Sequence, residues 1–532
     1  MTATAGTGLL LKLALRRDRI MLPIWVYALT ATAVGTAYST KSLYDTVAAR
    51  RDFALGINKN PANLAMEGRI FDLDSIGAIS VWKIIVTGAA MVAVMSLLIV
   101  IRHTRADEES GRLELVSAGV LGRSAALASA LLTAFTANMV LFVLAVAGLM
   151  AVGMPVAGSV VFGLCWLATG MMFAAVAAVT AQVTESGRAA NGLALSVLGV
   201  SFLLRAFGDA AGRDGLSWLS WLSPLGWTEQ LRPYAGDRWW VLALPVAFIV
   251  VCLGAAFTLV GRRDLGAGLI PARLGPAEAV ASLSNHFALA WRLQRGVLLA
   301  WTVAFVVGGA GLGSEADSVG SLVGNSKGTQ DLLRRMGGHA GMVDAFLSTT
   351  MGILALLASA YAVQAVLRLR AEETGQRAEA ILATRVGRVG WASGHAAIAL
   401  LGSTLLMLVG GFMAGLIHGV RSGDMGQLPH VLWSAIVQLP AVWVLAAITI
   451  ALFGLVPRFV VAGWGVLAVF LLLGQLGSVL RLKQWAMDIS PFTHVPKLPG
   501  AEMRFTPVVW LVVVAAAFTA AGLAGFRRRD LG

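Results

Sequence analysis

The sequence predicts an all-α polytopic membrane protein, with about 12 transmembrane helices in two parallel six-helix repeats. Three observations carry that prediction. Of 532 residues, 58% are hydrophobic and only 13% are charged, whereas a soluble domain carries about a quarter charged residues. Apolar runs of roughly 20 residues, enough to cross a bilayer core, recur along the chain. The chain also repeats itself: RHTRADEESGRLELVSAGVLGRS at 102–124 returns as LRLRAEETGQRAEAILATRVGRV at 367–389.

Taken in order, the expected spans are 20–38, 80–101, 125–150, 158–183, 191–208, 239–261, 297–313, 346–366, 391–417, 429–455, 460–478 and 506–526. Each is read as a helix, because an open strand would leave backbone groups unsatisfied in lipid. Residues 1–266 form a first half and 267–532 a second. Each half opens on an amphipathic stretch suited to the lipid interface. In the first it covers 8–19, with Leu9, Leu10, Leu11, Leu13 and Leu15 beside Lys12, Arg16 and Arg17. In the second it covers 285–296. The first apolar run is expected to be a retained span and not a removable leader, because Arg16, Arg19 and Trp25 recur in mid-chain as Arg292, Arg295 and Trp301.

An even number of spans puts both termini on one side. The short Arg-rich segments 1–19, 102–124, 262–296, 367–390 and 527–532 assign that side to the cytoplasm. Segments 209–238 and 479–505 then face outward. They share a pattern as well, Ser217-Trp218 and Ser223-Pro224-Leu225 matching Gln484-Trp485 and Ser490-Pro491-Phe492. An interfacial tryptophan belt and a short re-entrant helix are both compatible with it. Equal orientation of the halves implies a pseudo-two-fold axis along the membrane normal.

Composition excludes several functions. The net charge of +13 belongs to the loops between spans; no basic stripe interleaved with aromatics marks a nucleic-acid surface. Cys165 and Cys252 lack the spacing of a metal site or disulfide framework. None of the seven lysines follows a glycine, so the chain has no P-loop for ATP. No His-Glu-x-x-His occurs. The spans are nearly free of charge, and Lys83 and Arg205 lie near span ends, where long side chains snorkel. Without an intramembrane relay, the energy source is expected elsewhere.

The duplicated charged segment is the expected link to that source. Arg105, Glu108, Arg112, Glu114, Gly122 and Arg123 correspond to Arg370, Glu373, Arg377, Glu379, Gly387 and Arg388 at a constant offset of 265. Asp107, Glu109 and Glu372 add to the acidic side. A solvated helix held by its own ion pairs, such as Glu108 with Arg112, is one reading. Duplication favours a second, a surface docking two identical partner subunits. The half ends also match: Arg262-Arg263-Asp264-Leu265-Gly266 recurs as Arg528-Arg529-Asp530-Leu531-Gly532.

The stretch Arg105-Ala-Asp-Glu-Glu-Ser-Gly-Arg-Leu-Glu-Leu resembles the first cytoplasmic loop of ABC-2-type transporter permeases. The whole chain is similar to the double-length members called exporters of polyketide antibiotics. That resemblance implies a type V exporter-like pseudo-dimer in the bacterial plasma membrane. It implies two copies of a separate ABC ATPase carrying ATP and Mg, no cofactor or metal on this chain, and a hydrophobic small-molecule cargo. Residues 105–123 and 370–388 would be coupling helices. Copy two departs where Thr374-Gly375-Gln376 replaces Glu109-Ser110-Gly111. The second and fifth spans of each half would line the path, giving Thr87, Met91, Met95, Asn191, Ser196, Ser201, Thr349, Thr350, Met351, Ser359, Gln364 and Gln475 as candidates. Helix–helix packing is the competing role for each of these.

Two other classes remain open. A proton-coupled secondary transporter of the major facilitator type also has two parallel six-helix halves. A membrane enzyme could draw on Asp72, Asp74, Asp237, His339 and Asp488, but these form no spaced acid–base pair.

Overall fold

The structure is a computed structural model. It describes all residues except 1–2, 118–120, 212–215, 265, 272–276, 279–282, 284, 322–337, 477–482 and 530–532, and side chains outside 61–62, 115–117, 317–321, 338–340, 342 and 474–476. The described residues form helices, turns and no strand. Among the described residues, eleven helices are long and apolar enough to span a membrane, and the chain is an all-α polytopic membrane protein. At the expected span 460–478 the described helix is Ala462–Leu476, 15 residues, and the residues that follow it lie outside the described ones. Gln475 sits on that helix, and its side chain is outside the described residues, as is that of His339.

The chain divides into two compact units, Met1–Gly275 and Pro276–Gly532. In the first, the amphipathic stretch is a separate helix, Thr7–Arg17. Pro23, in the first turn of Met21–Leu43, has no N–H for the carbonyl four residues back, and the chain turns at 18–20. The second unit has no such break: His286–Ser321 is one helix of 36 residues, and the amphipathic start expected at 285–296 runs directly into the span. The corresponding position there is Leu299, which keeps its donor.

Two spans of the first unit start on side-chain caps. Ser75 accepts from the Ala78 amide at 3.2 Å and Ser186 from the Ala189 amide at 3.1 Å. Ala125–Ala151 and Val156–Val183 are joined by a tight turn with Gly153 at φ 87° and Pro155 before the new helix. The core gathers Ile76–Arg102 and Val156–Val183, with Met95, Leu97, Phe162, Cys165, Trp166 and Phe173 essentially without exposure.

Arg205 does not snorkel. It is fully buried, for a reason given below.

In the second unit, Leu439–Leu455 lies against Phe505–Arg528. The approach is so close that a Cβ on Gly454 would overlap the Gly522 carbonyl oxygen. Small residues at such crossings let backbones pack where lipid gives no hydrophobic drive. Gly454→Leu is therefore expected to lower the thermal midpoint, by an overpacking cost of ~1–3 kcal/mol. Gly254→Ala, where a Cβ meets nothing within 4 Å, should leave the midpoint unchanged or slightly raised; equal effects of the two would contradict the crossing.

Candidate functional site

Each charged segment opens on residues that turn inward. In the first unit, Ile76–Arg102 ends at His103 and Thr104, and a short helix, Arg105–Glu109, follows. The Thr104 hydroxyl donates to the Val100 carbonyl at 2.6 Å, a back-bond that helps break the helix. Arg105 is fully buried. Its guanidinium donates to the Ala181 carbonyl at 3.0 Å, to the Ala267 carbonyl at 2.9 Å and to Glu108 at 2.7 Å.

Glu108 is the centre of the arrangement. Its side chain is 6% exposed and lies between Arg105 and Arg263, the latter at 2.5 and 2.9 Å. Arg263 in turn donates to Gln182 at 2.6 Å. Arg123 donates to the carbonyls of Val260 at 3.0 Å and Arg263 at 2.6 Å. A cation thus caps the C-terminal carbonyls of the last span, Ala243–Arg262.

The second unit repeats this latch atom for atom at its centre. Glu373, 7% exposed, lies between Arg370 at 3.0 Å and Arg529 at 2.5 Å. Arg388 donates to the Arg529 carbonyl at 2.5 Å. The duplicated charges and the duplicated half ends are two sides of one contact, a connection that sequence reading left unmade although both signals were visible. A partner reaching Glu108 or Glu373 would first have to break these pairs.

Other members of the segment face outward. Glu109, Arg112 and Glu114 are exposed in copy one, and Arg377 and Glu379 in copy two. Glu109 accepts from the Gly187 amide at 2.9 Å, at the start of Gly187–Ala210. Asp107 pairs bidentately with Arg17 of the leading helix at 2.7 and 2.8 Å. Asp18 accepts from His103 at 2.6 Å and pairs with Arg102 at 3.1 Å. A cavity of about 370 Å³ lies beneath, lined by Leu10, Leu13, Arg17, His103, Asp107 and Arg112. In copy two Glu372 pairs instead with Arg368 at 2.6 Å and Arg377 at 2.7 Å. Its turn carries Gln376 at φ 56°, where copy one has Gly111 at φ 70°; the left-handed conformation costs a non-glycine residue about 1–2 kcal/mol.

The path candidates divide by burial. Met95, Ser201, Thr350, Met351 and Ser359 are buried within their own unit. Met91, Ser196, Thr349 and Gln364 are exposed, and Thr87 and Asn191 are partly so. The hydroxyls of Thr87, Ser196, Ser201, Thr349 and Ser359 each donate to a carbonyl four residues back, at 2.7–2.9 Å. Gln364 accepts from the Trp301 indole at 2.9 Å. The hydroxyls are thus satisfied within their own helices. Among the described residues, no three His, Cys, Asp or Glu side chains come together as a metal site.

The family model described as "Multidrug efflux system permease Rv1217c, C-terminal domain" matches residues 10–261 and 283–527. The chain belongs to this family. It is similar over 531 residues to the multidrug efflux system permease protein Rv1217c of Mycobacterium tuberculosis, with 45% identity across 99% of this chain and 95% of the relative. The family match takes in Arg105, Glu108, Arg370 and Glu373 and ends short of Arg263 and Arg529.

At the opposite end of the first unit lies a cluster that composition did not reveal. Arg205 pairs with Asp209 at 3.2 Å, lies 3.8 Å from Glu229, and donates to the Ala65 carbonyl and to that of Met66 at 3.0 Å. Ser220 donates to Asp209 at 2.6 Å, and the Arg69 amide to Glu229 at 2.8 Å. Glu229 sits on the short helix Pro224–Gln230, buried against the spans and capped by Ser223. Burial and the neighbouring Asp209 push its carboxyl well above the ordinary 4.5, against the opposing pull of Arg205. Below about 4.5 folded and unfolded chains both hold the proton. Above it the unfolded chain releases the proton while the fold retains it, so stability falls as pH rises towards the folded value. Thermal midpoints measured across that window should fall with pH more steeply for the natural chain than for Glu229→Gln. Parallel curves would contradict the raised carboxyl.

Proposed function

We propose that this chain is the membrane permease of an ATP-driven exporter that moves hydrophobic drugs or antibiotics out of the cell. In this reading it sits in the bacterial plasma membrane with both termini in the cytoplasm. Two copies of a separate ABC ATPase, carrying ATP and Mg, dock under the two charged segments; the chain itself holds no cofactor. Membership of the multidrug efflux permease family supports export, as does the printed name of the mycobacterial relative.

One observation carries the docking part. Of the duplicated charges, Arg112 and Glu114, with their counterparts Arg377 and Glu379, stay exposed, while Glu108 and Glu373 are spent inside the fold. Each segment therefore has a fixed inner side and a solvent-exposed outer side. The inner side ties it to the end of the last span, so a push on the outer side is passed to a helix instead of being absorbed by a loop. ATP-driven closure of the ATPase pair would move both segments and switch the path from inward- to outward-open.

Arg112→Glu combined with Glu379→Arg is expected to abolish co-purification of the ATPase and drug-stimulated ATP hydrolysis, with the thermal midpoint kept. Retained coupling in that variant would count against docking at these surfaces. Export that survives ATP depletion but collapses with the proton gradient would replace the reading with a secondary transporter.

A further inference from the structure

The outer segments of the two units and the spans that follow them share one pattern, but four aromatic positions of the first unit are not aromatic in the second. Trp221 and Trp227 correspond to Asp488 and His494; Trp240 and Phe248, counted back from the matched half ends, correspond to Thr506 and Val514. In the first unit these four aromatics pair with one another. Trp221 stacks on Trp240 with centroids 5.8 Å apart, and Trp227 meets Phe248 edge-on at 5.9 Å. The Trp227 indole also donates to the Trp221 carbonyl at 2.6 Å. The first unit fills this place with its own rings.

The second unit has none of the four. A cavity of about 590 Å³ stands there, lined by Ile448, Phe470, Trp510 and Phe518, with Asp488 and His494 at its mouth. Its volume suits a small ligand, and its wall keeps aromatic faces against which rings stack or meet edge-on. Asp488 accepts from Gln484 at 2.8 Å, and its own carbonyl accepts from His494 at 2.8 Å. Among the described residues no cation pairs with this carboxylate.

We propose that this pocket of the second unit binds an aromatic cation, whose ring system takes the place of the missing indoles and whose charge sits at Asp488. The proposal names a cargo class and a site for the export reading, and rests on that reading only for the step after binding. The exposed carboxylate at the rim, bonded to Gln484, favours a cation over a neutral lipid tail, because only the cation gains from the negative charge.

The test is a fluorescence titration of ethidium against the full-length chain in phosphatidylcholine nanodiscs, with empty discs as background and neutral pyrene as comparison. One saturable ethidium site per chain is expected. Asp488→Asn should weaken it about fivefold, the size of a part-exposed ion pair, and leave pyrene unaffected. His494→Trp with Val514→Phe, which rebuilds the edge-on pair of the first unit, should remove the site while the thermal midpoint holds. If that double variant fails to fold, Thr506→Trp alone serves as the plug. Unchanged ethidium binding in a folded plugged variant overturns the proposal. So does equal loss of ethidium and pyrene on Asp488→Asn, which would mark an unselective lipid groove. No ATPase is present in the titration, so a failure of docking at Arg112 and Glu379 leaves its outcome untouched.

Discussion

A carboxylate held between two guanidinium groups fixes the charged end of each unit. Glu108 and Glu373 are nearly excluded from solvent, at the charged ends of otherwise apolar spans. A buried acid in such a place is costly unless paired. Each therefore recruits one arginine from its own turn of helix and one from the end of the last span. The rest follows from that requirement. The segment is pinned, the last span has a fixed terminus, and Arg123 and Arg388 are free to cap its carbonyls.

The two units keep this latch and diverge around it. The first adds an ionic link from the leading helix through Arg17, Asp18, His103 and Asp107, and an ion cluster around Arg205 at the other end. It fills its outer segment with stacked indoles. The second lacks Pro23's counterpart and runs its leading stretch straight into the span. It turns its segment through Gln376 and leaves the outer place open. Duplication preserved what each unit needs in order to hold together. Divergence sits where the two units can do different work, one as a sealed support and the other with a pocket.

Much of the architecture was legible in the sequence because lipid leaves little choice: a run of 20 apolar residues has to be a helix. The repeat and the matched Arg-Arg-Asp-Leu-Gly endings were legible too. Their meeting was not, because Glu108 and Arg263 are 155 positions apart and charge order alone does not say whether a carboxylate faces a neighbour or water. Duplication pointed to an external partner with equal force for Glu108 and for Arg112, and only burial separates them. Arg205 was misread for a related reason: a lone arginine near a span end looks like a snorkelling one until the carbonyls of 65 and 66 and the carboxylates of 209 and 229 close around it. The outer pocket was invisible, since it consists of side chains that are absent from one copy.

The latch is tested most directly by a double-mutant cycle on Glu108 and Arg263, repeated on Glu373 and Arg529. Stability and hydrogen exchange of the segment are read for each single alanine variant and for the pair. The account predicts strong non-additivity, a coupling of about 1–3 kcal/mol in each unit, with the segment's amides losing protection in either single variant. Additive losses, or segments that stay protected without their arginine, would contradict it.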